Sequence, residues 1–420
     1  MTLLLRRILT TATGRIIILS LVFFFWGVPA SEPDRRLQNP FQGQSLQAAL
    51  HYAFLYSEEE LEYIDYKITE LLIDSGFNGN VLISRYGQVI YERSFGFRSF
   101  SRSEPMNIET TFQLASISKT FTAAAVLMLH QQGLIHIDKT VKEYITEFPY
   151  PDITIRQLLS HTSGLQNYMW MVERYWKKKQ LPTNEDILQL FLRYPRPLNF
   201  SPGTRFDYSN TGFVFLGLLI EKVSGQSYSD FIHKNIFEPL EMNRSYVYDL
   251  HQPVEISNRA YGYRIWRGRH VIIPDDHLDG PLGDKGIFST VYDLYKWDQA
   301  LHRSELLPVE LWQEAFQNAR LENDSVIDYG LGWRLQTYID KTIVHHPGRW
   351  HGFRTSFKRF IDDHSVIIVL SNNNRGILPI IEGIQDILYY DEKEIWMATH
   401  NPEPQPEQVE EEPFEHEEEE

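Results

Sequence analysis

Phe112-Gln-Leu-Ala-Ser116-Ile-Ser-Lys119-Thr-Phe-Thr-Ala-Ala-Ala-Val-Leu-Met-Leu-His-Gln-Gln-Gly133 is the stretch around which the chain is organised. Ser116 and Lys119 stand three apart at the start of a predicted helix, and positions i and i+3 share a helical face. An ammonium placed there can reach the hydroxyl. That meets a chemical need, because a serine hydroxyl is a poor nucleophile until a neighbouring base takes its proton. The Ala-, Leu- and Met-rich run after Lys119 suits a buried helix, and Gly133 supplies a C-terminal stop. A serine at the helix N-terminus also has backbone N–H groups and the positive end of the dipole directed at a developing oxyanion.

Ser-x-x-Lys is a common spacing, so the rest of the chain decides what it means. Tyr208-Ser-Asn210 lies in a polar loop, Ser201 to Gly212, that opens onto an apolar helix predicted over Phe213–Val223. A tyrosine can shuttle a proton if a nearby cation such as Lys119 holds down its pKa, normally near 10. Asn210 could donate to a substrate carbonyl and steady Lys119. His346-Pro-Gly348-Arg349-Trp-His-Gly-Phe353 falls at the joint of two predicted strands, where glycine lets a substrate backbone approach the strand edge. A backbone N–H just past Gly348 would complete an oxyanion hole with that of Ser116.

In this order Ser-x-x-Lys, Tyr-Ser-Asn and His-x-Gly resemble the serine hydrolases of the class C β-lactamase family, which also holds D-alanyl-D-alanine carboxypeptidases, D-aminopeptidases and esterases. Leu159-Ser-His-Thr-Ser-Gly-Leu165, Ser201-Pro-Gly-Thr and Gly283-Asp-Lys-Gly-Ile-Phe-Ser-Thr before Asp293-Leu match as well, and the similarity runs from about residue 60 to 390. The resemblance implies that Ser116 is acylated, that Lys119 and Tyr208 share general-base and general-acid work, and that Asn210 binds the substrate amide. His346, Gly348 and Arg349 would also contact substrate, the last through its backbone N–H in the oxyanion hole. No metal or cofactor is implied. The β-lactamases of the family usually carry Lys-Thr-Gly where this chain has His346-Pro-Gly348. An ordinary histidine is mostly neutral at pH 7, so the substrate carboxylate loses a positive partner unless Arg349 supplies one. Esterase or D-peptidase activity is therefore favoured over efficient β-lactam hydrolysis. The rival expectation is a catalytically silent, penicillin-binding-like scaffold or ligand-binding protein.

The fold expected is α+β, β-lactamase/transpeptidase-like. Glu58–Ile73 has helical spacing, 79–84 and 88–96 read as a β-hairpin around Arg85-Tyr-Gly87, and strands return at 329–335, 342–346, 353–360 and 365–372 before a last helix over 377–390. An antiparallel sheet built from both chain ends, flanked by helices, would carry a mostly helical lobe from 105–300. Asp138, Thr154 and Ser289 or Thr290 are candidate helix caps, and a helix is predicted over Ser289–Leu301. His161, in a turn-like Thr-Ser-Gly context, reads as a hydrogen-bonded structural residue. Trp170, Tyr175 and Trp176 are candidate cleft-lining aromatics. The histidines 345, 346, 351 and 364 lack carboxylates in a metal-binding spacing, and neighbours 345 and 346 would face opposite sides of a strand, so no metal site is expected.

Arg6, Arg7 and Arg15 precede or open the apolar run Ile16–Gly27, and Val28-Pro-Ala30 resembles a cleavage site. Residues 1–30 thus read as a secretory signal or, if uncleaved, a membrane anchor, and an exported, periplasmic or extracellular protein is expected. Residues 31–56 read as a leader, 57–398 as the hydrolase domain and 399–420 as a disordered acidic tail. The net charge of −16 is uneven: the last twenty residues hold −10 and the first thirty +3, leaving −9 for the rest. No basic stripe invites nucleic acid, and the absence of cysteine excludes disulfides and thiolate chemistry. The partner expected is a small-molecule or peptide substrate.

Overall fold

A computed structural model describes residues 56–253 and 255–391. The expected signal, all but the last residue of the expected leader, and the acidic tail lie outside the described residues.

Strands β1 (Gly79–Arg85) and β2 (Gln88–Phe95) form the predicted hairpin, turning at Tyr86 and Gly87 with φ of 52° and 75°. Two successive positive φ values match the right-handed twist of the flanking strands. The other strands of the main sheet come from the far end of the chain: β3 (Arg334–Tyr338), β4 (Lys341–Trp350), β5 (Phe353–Phe360) and β6 (Ser365–Ser371). Their order is β3-β4-β5-β6-β1-β2, and every pairing is antiparallel. Val81-Leu-Ile83 and Val366-Ile-Ile-Val-Leu370 are buried throughout because β1 and β6 lie at the centre, covered on both faces.

Alternation along β5 shows what covers them. Lys358 Nζ donates to Gln385 Oε1 on helix α5 (Leu378–Leu388), at 2.5 Å. Its neighbour Arg359 pairs with Asp298 on helix α4 (Val291–Arg303), so the two helices cover opposite faces. Helix α1 (Glu58–Asp74) packs on α5, with Leu71 against Gly383. The composite sheet expected from the sequence is thus the one observed.

The middle of the chain is mostly helical, as expected. Helix α2 (Ser118–Gln131) is buried at every position from Ser118 to Leu129 and packs on α3 (Asn210–Ser224). That accounts for its alanines, which let neighbours approach on all sides. Short helices at Ile155–Leu159, Tyr168–Tyr175, Asn184–Arg193 and Tyr228–Ile232 surround the pair.

Some boundaries differ from expectation. Helix α3 starts at Asn210, three residues early, because Thr211 and Gly212 are buried against the neighbouring segments despite not being apolar. Tyr329–Trp333 is not strand: a side chain at Gly330 would meet the Ala315 carbonyl at 2.1 Å, and one at Gly332 would meet Ala123 at 2.5 Å. Gly330 carries the chain past the end of the helix Val309–Ala315 and Gly332 carries it over α2, and the strand begins only at Arg334. Thr154 and Thr290 cap their helices, whereas Asp138 is drawn off into an ion pair with Arg156 and Thr140 caps the turn after it. The two- and three-residue strands Phe112–Gln113, Ile287–Ser289 and Tyr246–Val247, which form a small sheet, are too short to leave a periodic signal.

Candidate active site

Ser116 sits in a single 3-10 turn, Ala115–Ile117, between the strand Phe112–Gln113 and α2. The turn is held from two sides. Leu114 N donates to Ile287 O at 2.8 Å, and Ile287 N donates to Ser118 Oγ at 3.1 Å. On the other side Thr355 Oγ1 donates to Leu114 O at 2.8 Å. Ala115 has φ of 52°, a left-handed conformation costing a non-glycine residue about 1–2 kcal/mol. Gly348 explains how β4 can come so close: a Cβ there would lie 2.2 Å from Leu114 O and 2.0 Å from Thr355 Oγ1. The glycine of His-x-Gly is therefore a packing requirement of the serine turn.

Lys119 is fully buried, and its ammonium donates to Ser116 Oγ at 3.1 Å and to the Asp284 carbonyl at 2.7 Å. Burial lowers its pKa to about 8, with Arg334 adding to the fall and Asp284 opposing it. A substantial free-base fraction near neutral pH follows. Tyr208 departs from expectation. Its hydroxyl is shielded from solvent with no hydrogen-bond partner. Burial raises its pKa, although the Ser116 hydroxyl and Arg334 pull the other way. Lys119 Nζ and Arg334 Cζ each lie 5.2 Å from its ring centre, yet desolvation outweighs them and the phenol stays protonated.

Asn210 opens α3, its Oδ1 shielded and without a partner and its Nδ2 only 4.0 Å from Met169 Sδ. It does not hydrogen-bond Lys119. An amide buried with both ends nearly unused is costly unless a ligand engages it.

His346 requires a correction. The structure puts it beneath the site, 1% exposed, with both nitrogens committed, and not on a substrate-facing wall. The hydrogen bonds assign the protons. Ser209 N donates to His161 Nδ1 at 3.1 Å, so His161 Nε2 carries hydrogen and donates to Tyr329 Oη at 3.0 Å. The Tyr329 hydroxyl then donates to His346 Nε2 at 3.1 Å, and His346 Nδ1 donates to Pro347 O at 2.7 Å. Both imidazoles are neutral in this chain, and burial followed by the Lys119 charge holds both pKa values well below 6.5. His161 is structural, as expected, and it positions the Tyr208–Asn210 loop.

Arg349 is exposed on β4 opposite Arg354. The cation that adjoins the catalytic groups is instead Arg334, which sequence reasoning missed. It opens β3 directly after the Gly-Leu-Gly-Trp stretch and forms no ion pair among the described residues. A second missed group is Tyr168 with Lys285: Lys285 Nζ donates to the Tyr168 hydroxyl at 2.7 Å, which donates to Asp284 Oδ2 at 3.1 Å. Together they hold the loop whose carbonyl receives Lys119. Its signal was present in Gly283-Asp-Lys-Gly, without a role attached. Of the three aromatics expected to line a cleft, Trp170 is exposed, Tyr175 stacks on Tyr194, and Trp176 is buried with its indole donating to Gln180 O at 2.7 Å. Their helix meets the site through Tyr168 and Met169.

Asp276, Asp279 and His351 lie close enough together to hold a metal ion, a grouping the sequence spacing did not show, with the two carboxylates 3.5 and 3.1 Å from His351 Nε2. Against the pull of burial, their hydrogen bonds push His351 up to about 9, so at neutral pH it is a cation paired with them. A concavity of about 500 Å³ between Gln157, Arg320 and Glu322 is lined by none of Ser116, Lys119, Tyr208 and Asn210.

Comparison with known proteins agrees with this fold. The β-lactamase family profile matches residues 67–382. Penicillin-binding protein 4* of Bacillus subtilis is 36% identical over 74% of this chain and 72% of its own length. A D-aminopeptidase of Brucella ovis is 26% identical over 71% of this chain, which spans 56% of that protein. The crystal structure of a penicillin-binding protein from Bacillus halodurans superposes with a TM-score of 0.67 at 27% identity, covering 76% of this chain and 98% of that one. A D-amino acid amidase from Ochrobactrum anthropi shares the fold, with a TM-score of 0.67 at 21% identity over 78% of this chain and 99% of its own. With that profile spanning most of the chain and a 36% identical relative covered over 72% of its length, the chain belongs to the β-lactamase family of serine hydrolases.

Proposed function

We propose that the protein is an exported hydrolase that opens an ester or a D-configured amide, as in cell-wall peptides, through an acyl-enzyme on Ser116. The observation carrying this is the contact of Lys119 Nζ with Ser116 Oγ at 3.1 Å, in a buried site that lowers the lysine pKa to about 8. The free amine takes the serine proton as Oγ attacks the substrate carbonyl, and the oxyanion rests on the backbone N–H groups of Ser116 and Arg349. Tyr208, protonated at rest, gives its proton to the leaving amine or alkoxide and recovers one from the Lys119 ammonium. Water then enters, and the same groups run in reverse to release the acid. Asn210 receives the substrate amide with its unused carbonyl and amino groups. Arg334 supplies positive charge close to Tyr208. The D-configured amide is favoured by likeness to a penicillin-binding protein and a D-aminopeptidase. Weak β-lactam turnover is expected, since His346 is neutral and turned inward where β-lactamases carry a lysine.

Intact mass after incubation with a fluorophosphonate, and separately with a penicillin, tests this beside Ser116→Ala. A single phosphonate adduct on the wild-type chain, absent from the variant, is expected. A stable penicilloyl adduct in addition would select a penicillin-binding peptidase. An adduct that persists in Ser116→Ala would overturn the assignment, and no adduct with either reagent would select the silent scaffold.

A further inference from the structure

The two-stranded hairpin Tyr263–Trp266 and Arg269–Ile272 presents a surface for which the catalytic chemistry has no use. Its register pairs Trp266 with Arg269 and Arg264 with Val271. Alternation therefore places Arg264, Trp266, Arg269 and Val271 on one face, and Tyr263, Ile265, His270 and Ile272 on the other. The second face is the seated one. Tyr263 is 1% exposed and meets Phe100 edge-on at 5.1 Å, and Phe100 stacks on His270 at 3.5 Å. The first face is open. Trp266 is 59% exposed, and Arg264, Arg267 and Arg269 are exposed as well.

Among the described residues, no acid neutralises these arginines. None of the three forms an ion pair among the described residues, and Arg267 lies only over the Trp266 ring, at 5.7 Å. Acids of adjoining segments are taken: Glu104 by Arg98 and Arg102, and Asp275 by Arg259. The turn itself is unfavourable for its residues. Arg267 and Gly268 have φ of 48° and 75°, and the first position of such a turn prefers Asn or Gly to Arg. Residues 256–274 hold four arginines and no acid, in a chain with a net charge of −16.

We propose that this hairpin face docks on an anionic lipid bilayer, its arginines on headgroup phosphates and Trp266 at the interface. Unpaired cations beside an exposed tryptophan, with Val271 on the same face, match an interface that is charged outside and apolar within. This docking rests on the proposed export: the apolar run Ile16–Gly27, read as a signal or anchor, would bring the chain to such a surface. Docking would also orient the active site. Gly262 and Gly352 allow the base of the hairpin to cross the turn that follows β4, since a Cβ at either would fall within 2.4 Å of backbone from the other segment.

The test is partitioning of the full-length chain onto vesicles of phosphatidylcholine alone and onto vesicles mixed with phosphatidylglycerol. The N-terminal apolar segment contributes equally to every variant, so the readout is the ratio between the two vesicle types. The triple variant R264Q/R267Q/R269Q is expected to lose roughly fivefold per arginine, on the order of a hundredfold in all, at low salt. W266A lowers capture further without removing charge, and unchanged thermal midpoints show that the variants fold. A ratio equal for wild type and triple variant overturns the proposal. So does capture by soluble polyphosphate that W266A leaves intact with no vesicle preference, which assigns the face to a dissolved polyanion. Self-association that the triple variant abolishes, again with no vesicle preference, assigns it to a second copy of the chain.

Discussion

In the proposed mechanism Lys119 serves as base because its surroundings penalise its charge, and each neighbour should leave a measurable mark. The rate of acylation by an ester substrate should rise with pH and level off above about 8 as the amine is freed. Arg334 contributes to the lowering, so Arg334→Gln should move that limb to higher pH. Lys119→Arg keeps the charge but cannot give up its proton, and acylation should fall by roughly 10²–10⁴-fold. Gly348→Ala tests the packing of the serine turn. The added methyl has no room between Leu114 O and Thr355 Oγ1, and should cost about 1–3 kcal/mol in a denaturant titration. A displaced serine should slow acylation by roughly a hundredfold. The gathering of Ser116, Lys119, Tyr208 and Asn210 around one point could be anticipated from motif order. The inward turn of His346, the raised pKa of Tyr208 and the approach of Arg334 could not, because each depends on burial by segments more than a hundred residues away.

Helix α4 is fixed to the sheet by one buried ion pair, Arg359 Nε to Asp298 Oδ1 at 2.6 Å, with the side chains 3% and 1% exposed. Asp298→Ala leaves the guanidinium buried and unpaired and should cost about 3–5 kcal/mol by thermal or denaturant unfolding. The segment Asp276–Asp279 is fastened to the turn after β4 in a different way, by charged His351. Its pKa rises on folding from 6.5 to about 9, so its contribution is complete below about 6.5 and disappears as pH climbs through 9. The stability difference between wild type and His351→Gln should shrink across that window. Helices with a strong apolar period were visible in the sequence to within two or three residues. Elements defined by close backbone approach were not: Tyr329–Trp333 has the composition of a strand, but its glycines serve close crossings, Gly330 past the Ala315 carbonyl and Gly332 over α2, and no periodicity separates the two.

Across the whole molecule, the order of motifs and of predicted strands was sufficient to anticipate a sheet shared by both chain ends. Hydrophobic runs at 79–84 and 365–372 are both too continuous for exposed strands, and each needs a partner and cover on both faces. The open hairpin face has no such signature, because an exposed tryptophan among arginines looks in sequence like any polar loop. The shared sheet also bears on timing. The serine turn is tied to Thr355, 241 residues downstream, and β1 gains its central neighbour only when β6 is in place. A ribosome releases the nucleophile early and these partners late. Products of interrupted synthesis that stop short of β6 should therefore carry Ser116 and Lys119 yet be inert, so the chain is safe to make before its site can form.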